Sequence, residues 1–105
     1  MHPDIWQEIQ HITAQLVEKY SPDRIILFGS AARGETDADS DADFLIIKKD
    51  CPALGADRVR ELHRVIERNI PVDFLVYRPE EFEDRLAMGD PFLQAIMREG
   101  RVVYG

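Results

Sequence analysis

Three short apolar runs constrain this chain more than anything else in it: Ile25-Ile26-Leu27-Phe28, Phe44-Leu45-Ile46-Ile47, and the segment from Val72 to Tyr77. Each is bounded by turn-forming or charged residues, which suits a strand buried on both faces. Helical periodicity fills the space around them. Ile5, Ile9, Ile12 and Leu16 form one stripe, predicting a helix over 3–20 with Pro3 suited to its first turn. Ser21-Pro22-Asp23 stops it. Val59, Leu62 and Ile66 predict a helix over 56–69, with Arg58, Glu61, Arg64 and Arg68 on its outer face. Pro79 opens another, with Glu80 and Glu81 in the first turn, where carboxylates complement the helix dipole. Asp90-Pro91 caps a last helix that turns Leu93, Ile96 and Met97 inward and stops at Gly100. A short helix over 30–33 and a short closing strand over 101–104 complete the pattern. The alternation reads as an α/β fold, a small mixed or largely parallel β-sheet flanked by helices.

At 105 residues the expectation is a single domain spanning 1–105, with no second domain to hold an acceptor. Hydrophobic residues make up 45%, enough for a real core. No apolar run is long enough to cross a bilayer, so no membrane partner is expected. Met1-His2-Pro3-Asp4 lacks the features of a secretory signal, which suggests a cytoplasmic protein. The one cysteine, Cys51, excludes an internal disulfide and a cysteine metal cluster and reads as a loop thiol. His2, His11 and His63 show no ligand spacing, and Trp6 and the phenylalanines read as packing residues. A net charge of −7 disfavours direct nucleic-acid binding, which depends on cationic side chains neutralising phosphates. It would also repel a free nucleotide unless a divalent cation offsets the local carboxylates.

The chemically informative stretch runs from Gly29 to Phe44. Gly29 and Gly34 have the spacing of a phosphate-binding P-loop, but Glu35 and Thr36 stand where Lys and Ser or Thr are required. No G-x-G-x-x-G follows a strand. An EF-hand loop begun at Asp37 would put Ala42 at the obligatory glycine and Lys48 at the obligatory glutamate. What remains is Gly-Ser at the exit of one strand and a D-x-D pair at the start of the next. Gly29 permits a sharp turn and close approach of the backbone to a ligand. Ser30 then begins a short helix whose free N–H groups can meet a phosphate; the plainer alternative is a helix cap, which is compatible with binding phosphate. Asp41 and Asp43, two residues apart, would face the same side about 6.5 Å apart along a strand. There they can share a cation such as magnesium, which combines one or two carboxylates with water and phosphate oxygens. Without the Gly-Ser spacing, the pair would read as a solvated acidic turn.

The residues between Ser30 and Asp41, 31 to 40, number ten. With Ala32, Arg33, Gly34 and Ser40, they make the chain resemble the minimal nucleotidyltransferases of the polymerase beta-like superfamily, whose pattern is Gly-Ser-x-Ala-Arg-Gly followed by Ser-Asp-x-Asp. The likeness extends through Pro79-Glu80-Glu81-Phe82 to Gly100-Arg101-Val102-Val103-Tyr104. It implies transfer of a nucleoside monophosphate from a nucleoside triphosphate, with ATP the expected substrate, to a hydroxyl. Two magnesium ions about 3.5–4 Å apart would clamp the attacking and leaving oxygens. By the same resemblance, Asp41 and Asp43 hold both ions, and Asp73 is a third carboxylate that holds one and takes the acceptor's proton. Ser30 contacts the terminal phosphates and Arg33 helps neutralise them. Asp73 is the one charge between Ile70 and Tyr77, where a buried, unpaired carboxylate would be costly unless a metal relieved it.

Proteins of this type often pair with a small helical HEPN-domain toxin and attach AMP to one of its tyrosines, acting as its antitoxin. Two other functions compete with that expectation. One is an antibiotic-type transferase acting on a small molecule, which is usually longer. The other is a noncatalytic module that only masks the partner, against which the presence of all three aspartates argues.

Overall fold

The computed structural model describes residues 5–35 and 41–105. In chain order the elements are α1 (Ile5–Tyr20), β1 (Arg24–Phe28), α2 (Gly29–Ala32), β2 (Ala42–Ile47), α3 (Gly55–Val65), β3 (Val72–Tyr77), α4 (Pro79–Ala87), α5 (Pro91–Glu99) and β4 (Arg101–Tyr104). Each expected element is present. The part of the first helix expected before Ile5, including Pro3, lies outside the described residues.

The four strands form one mixed sheet in the order β3-β2-β1-β4. β1 runs antiparallel to both β2 and β4, whereas β2 and β3 are parallel with α3 on the connection. Period-two alternation sends the two faces of each strand into separate cores. On one face Ile25, Leu27, Phe44, Ile46, Phe74 and Val76 pack with Ile9, Ile12 and Leu16 of α1 and Leu62 of α3. On the other, Ile26, Leu45 and Ile47 meet Phe82 of α4 and Leu93 and Ile96 of α5. Both faces of the central strands are thus covered, which is why their sequences are continuously apolar.

Two expectations for α3 are corrected. The helix ends at Val65, short of residue 69. Gln15, buried in α1, accepts a hydrogen bond from the Glu67 N–H at 2.7 Å and donates one to the Glu67 carbonyl at 2.6 Å. Glu8 accepts from the Asn69 N–H at 3.2 Å. Side chains of α1 have taken the backbone groups that another helical turn would have used. Arg58, expected on the outer face, points inward and is only 3% exposed. Its guanidinium donates to the carbonyls of Pro52, Ala53 and Val76 and lies 2.8 Å from Glu81 Oε1. Glu81 Oε1 also accepts from the Arg78 N–H at 2.7 Å, so one carboxylate closes the first turn of α4 and neutralises a buried cation. No helix among the described residues is long and apolar enough to cross a membrane.

Candidate active site

The mixed sheet brings three strand ends to one place. Because β1 is antiparallel to β2, its C-terminal residue Phe28 pairs with Asp43 near the N-terminus of β2. Because β3 is parallel to β2, Asp73 near its own N-terminus pairs with Asp43 from the other side. Asp41 stands two residues before Asp43 and faces the same way. Carboxylate oxygens of Asp41, Asp43 and Asp73 lie within 4.8 Å of one another, the one group of three or more metal-ligating side chains that close among the described residues. The sequence-expected aspartates therefore converge, including one separated from the other two by a whole helix.

Asp73 reaches this cluster differently from the way its apolar neighbours suggested. It is exposed, not buried, while Val72, Phe74 and Val76 face the core behind it. Burial is thus no reason for it to need a metal. Proximity is the stronger one. Asp43, half-buried in the centre, has its carboxyl pushed up to about 6 by burial, by the charges of Asp73 and Asp41 and by a hydrogen bond with Asp73, with Arg33 pulling the other way. Three acids at this distance cannot all ionise comfortably without a cation. Hard carboxylate oxygens are the donors that magnesium takes, and three of them leave coordination positions for phosphate oxygens and water.

Gly29 is required here twice over. Its φ of +77° lies in the left-handed region. A Cβ on it would also collide with the Asp43 carboxylate. The backbone of the turn is pressed directly against the central acid, so a ligand held by one lies beside the other. α2 starts at Gly29 itself, one residue earlier than expected, after Phe28 in extended conformation with no side-chain cap. Ser30 is therefore not the helix cap that was its alternative reading; it is half-buried in the first turn, where backbone N–H groups lack helical partners. Arg33 closes the helix. Its Nε lies 3.3 Å from Glu35 and its NH1 3.7 Å from Glu99. Ser40, the remaining residue of the expected pattern, lies outside the described residues.

Sequence reasoning missed the aromatic flank. Phe28, taken as a strand residue, and Phe92, at the start of α5, meet edge to face at 5.8 Å between ring centroids. Phe28 is the residue that pairs with Asp43, so this contact lies on the triad's side of the sheet. No periodicity or spacing marks either residue as part of a site.

Known proteins resemble this chain in sequence and in fold. Over 32 residues, 30% of this chain, it is 59% identical to a protein of Methanocaldococcus jannaschii named "Putative protein adenylyltransferase", and that segment spans 32% of the archaeal protein's length. The fold matches a crystal structure described as "a putative nucleotidyltransferase from Sulfolobus solfataricus", with a TM-score of 0.61 and 25% identity over 95% of this chain and 85% of that one. The family model of the nucleotidyltransferase domain matches residues 9–103, which takes in the Gly29 turn and all three clustered aspartates; this chain belongs to that family.

Proposed function

We propose that this protein is a magnesium-dependent adenylyltransferase that moves AMP from ATP onto a tyrosine hydroxyl of a protein partner, a HEPN-domain toxin for which it serves as antitoxin. The observation that carries the enzymatic part is the convergence of Asp41, Asp43 and Asp73 against the backbone of Gly29. An acid cluster alone is a common surface feature. An acid cluster abutting a left-handed glycine and the first turn of a helix pairs a cation site with a phosphate site.

In this reading Asp41 and Asp43 would hold the metal, Asp73 would share one ion, and Gly29 and Ser30 would hold the terminal phosphates with Arg33 beside them. Bound magnesium supplies charge neutralisation for the phosphates and the leaving pyrophosphate. The acceptor oxygen forms a bond to the α-phosphorus as the bond to the bridging oxygen of pyrophosphate breaks. The electron pair leaves with pyrophosphate, and the Asp73 carboxylate takes the hydroxyl proton. Its exposure favours that role, since the acceptor arrives from solvent.

The name of the archaeal relative supports a protein acceptor, within the short stretch that matches. The tyrosine and the HEPN toxin rest on the family resemblance of the motif. Incubating the chain with ATP, magnesium and a HEPN-domain protein encoded beside it, then measuring that protein's intact mass, tests the whole reading. An AMP adduct confined to tyrosine is the expected result. Adduct-free partner in a stable complex would leave only masking, and transfer to an antibiotic-type small molecule would relocate the acceptor.

A further inference from the structure

A groove of about 500 Å³ follows the outer edge of β3 between α3 and α4. Two of its apolar side chains have no role in the fold: Leu75 of β3 and Val59 of α3 are half-buried and belong to neither core. We propose that this groove docks a segment of a partner protein in which an apolar side chain stands beside a lysine or arginine. The inference makes no use of the nucleotide's pose. It rests on the function proposed above only in taking the docked segment to come from the protein that is modified.

Charge decides the occupant. The charged residues of the groove are Arg58, Glu81, Asp84 and Arg85. Both cations are answered within the chain, since Arg58 lies 2.8 Å from Glu81 and Arg85 lies 3.3 Å from Asp90. The Asp84 carboxylate, exposed on α4, has no partner among the described residues. The unanswered charge in the groove is therefore an acid, in a protein whose net charge is −7. An acidic segment or a nucleic acid would be repelled, whereas a lysine or arginine would complete the pair. Position decides what the docked segment meets. Leu75 pairs with Leu45, on the face of the sheet that α4 and α5 cover, and stands two residues beyond Asp73 on the same strand. Same-face neighbours lie about 6.5 Å apart along a strand. That span is about two residues of an extended chain, so a segment seated on Leu75 carries its next same-side residue to the triad.

Two fluorescent peptides of equal length test this, one with a tyrosine flanked by leucine and lysine, the other with glutamate in place of each lysine. Their binding is measured by anisotropy to the native chain and to Asp84→Lys, Val59→Gln and Glu18→Lys. Glu18 is exposed on α1, away from the groove, so Glu18→Lys repeats the charge change of Asp84→Lys elsewhere on the surface. The native chain should prefer the lysine peptide by about tenfold. Glu18→Lys should keep that preference, Asp84→Lys should lose it, and Val59→Gln should weaken both peptides. Equal binding of the two peptides by the native chain, or binding of neither, would overturn the docking groove. So would equal losses in Asp84→Lys and Glu18→Lys, because attraction by net charge alone would then explain the preference. Magnesium-ATP affinity, titrated in the same preparations, should be the same in all four proteins, and a loss in Asp84→Lys that matched its peptide loss would also overturn the assignment. A native chain that binds magnesium-ATP without any peptide preference would remove the groove and leave the proposed chemistry standing. One that prefers the lysine peptide yet binds no magnesium-ATP would keep the groove and sink the chemistry.

Discussion

The two ends of β3 carry opposite solutions to the same electrostatic problem. At the C-terminal end the Arg58 guanidinium is buried, and every charge there is answered: three backbone carbonyls and Glu81 receive it, and Glu81 is held by the Arg78 N–H as well. That pairing lowers the Glu81 carboxyl and raises the Arg58 guanidinium, the direction expected of charges that stabilise each other. At the N-terminal end Asp41, Asp43 and Asp73 crowd together, and the central acid is pushed up to about 6. One cluster contributes to the fold; the other opposes it. A group of like charges that weakens the fold is an arrangement that a bound cation would relieve.

The largest effect should come from removing the central acid. Asp43→Asn, and Asp41→Asn beside it, should lower transfer by a factor of about 10³ or more, as for other losses of focused transition-state charge. Thermal stability without metal should hold or rise, because like-charge repulsion is relieved. If melting temperature falls together with activity, the acids belong to the fold and the contrast between the two ends disappears.

Arg58→Ala should do the reverse. It should cost about 3 kcal/mol in denaturant unfolding, in the range seen when a buried ion pair is broken. Transfer per folded molecule should hold, because Val76, which Arg58 contacts, lies three register steps from Asp73, about 10 Å along the strand. Loss of transfer without loss of stability would join the two ends into one functional unit.

Asp73→Asn is the finer probe of the triad. Turnover should fall by about 10², while magnesium-ATP affinity changes much less, since Asp41, Asp43 and Ser30 remain to hold the nucleotide. Full transfer by this variant would remove Asp73 from the chemistry and reduce its proximity to a consequence of strand register.

The smallest effect is in pH, and its sign differs between the ends. Folded Asp43 keeps its proton up to about pH 6, whereas an unfolded aspartate loses it near 3.8. The metal-free fold is therefore favoured below that interval and loses this contribution as pH rises through it. Glu81, lowered from an ordinary 4.5, acts the other way: its contribution is present above that value and is lost as pH falls through its depressed titration. Melting curves from pH 4 to 7 without metal should flatten on the rising-pH side in Asp43→Asn, and added magnesium should stabilise the native chain most above about pH 6. An unchanged profile in Asp43→Asn would mean that the triad's repulsion is screened by solvent.

Much of the site was legible because its signals are local. The ten residues between Ser30 and Asp41 are a property of the chain itself, as is the two-residue step that puts Asp41 and Asp43 on one side. Asp73 came from the resemblance, and the supporting reason, a buried charge in an apolar strand, was wrong. It is solvent-facing, and alternation, not burial, allows it there. Arg58 was misplaced because four charged residues recurring along the helix expected over 56–69 look like a wet face, and long cationic side chains can turn inward only if acceptors await them.

The sequence alone determined where strands and helices form, since unbroken apolar runs and a period of about three and a half are written in neighbouring residues. It also determined the Gly-Ser turn and the paired aspartates, whose spacing no folding event alters. Tertiary structure decided the rest. Antiparallel β1–β2 and parallel β2–β3 pairing put Phe28, Asp43 and Asp73 at one end of the sheet, and a different strand order with the same elements would have scattered them. Packing of α5 beside α2 set Phe92 against Phe28. The acceptors that draw Arg58 inward come from a loop five and six residues away and from β3 and α4, 18 and 23 residues away. No local pattern can encode contacts whose partners become neighbours only when the sheet closes.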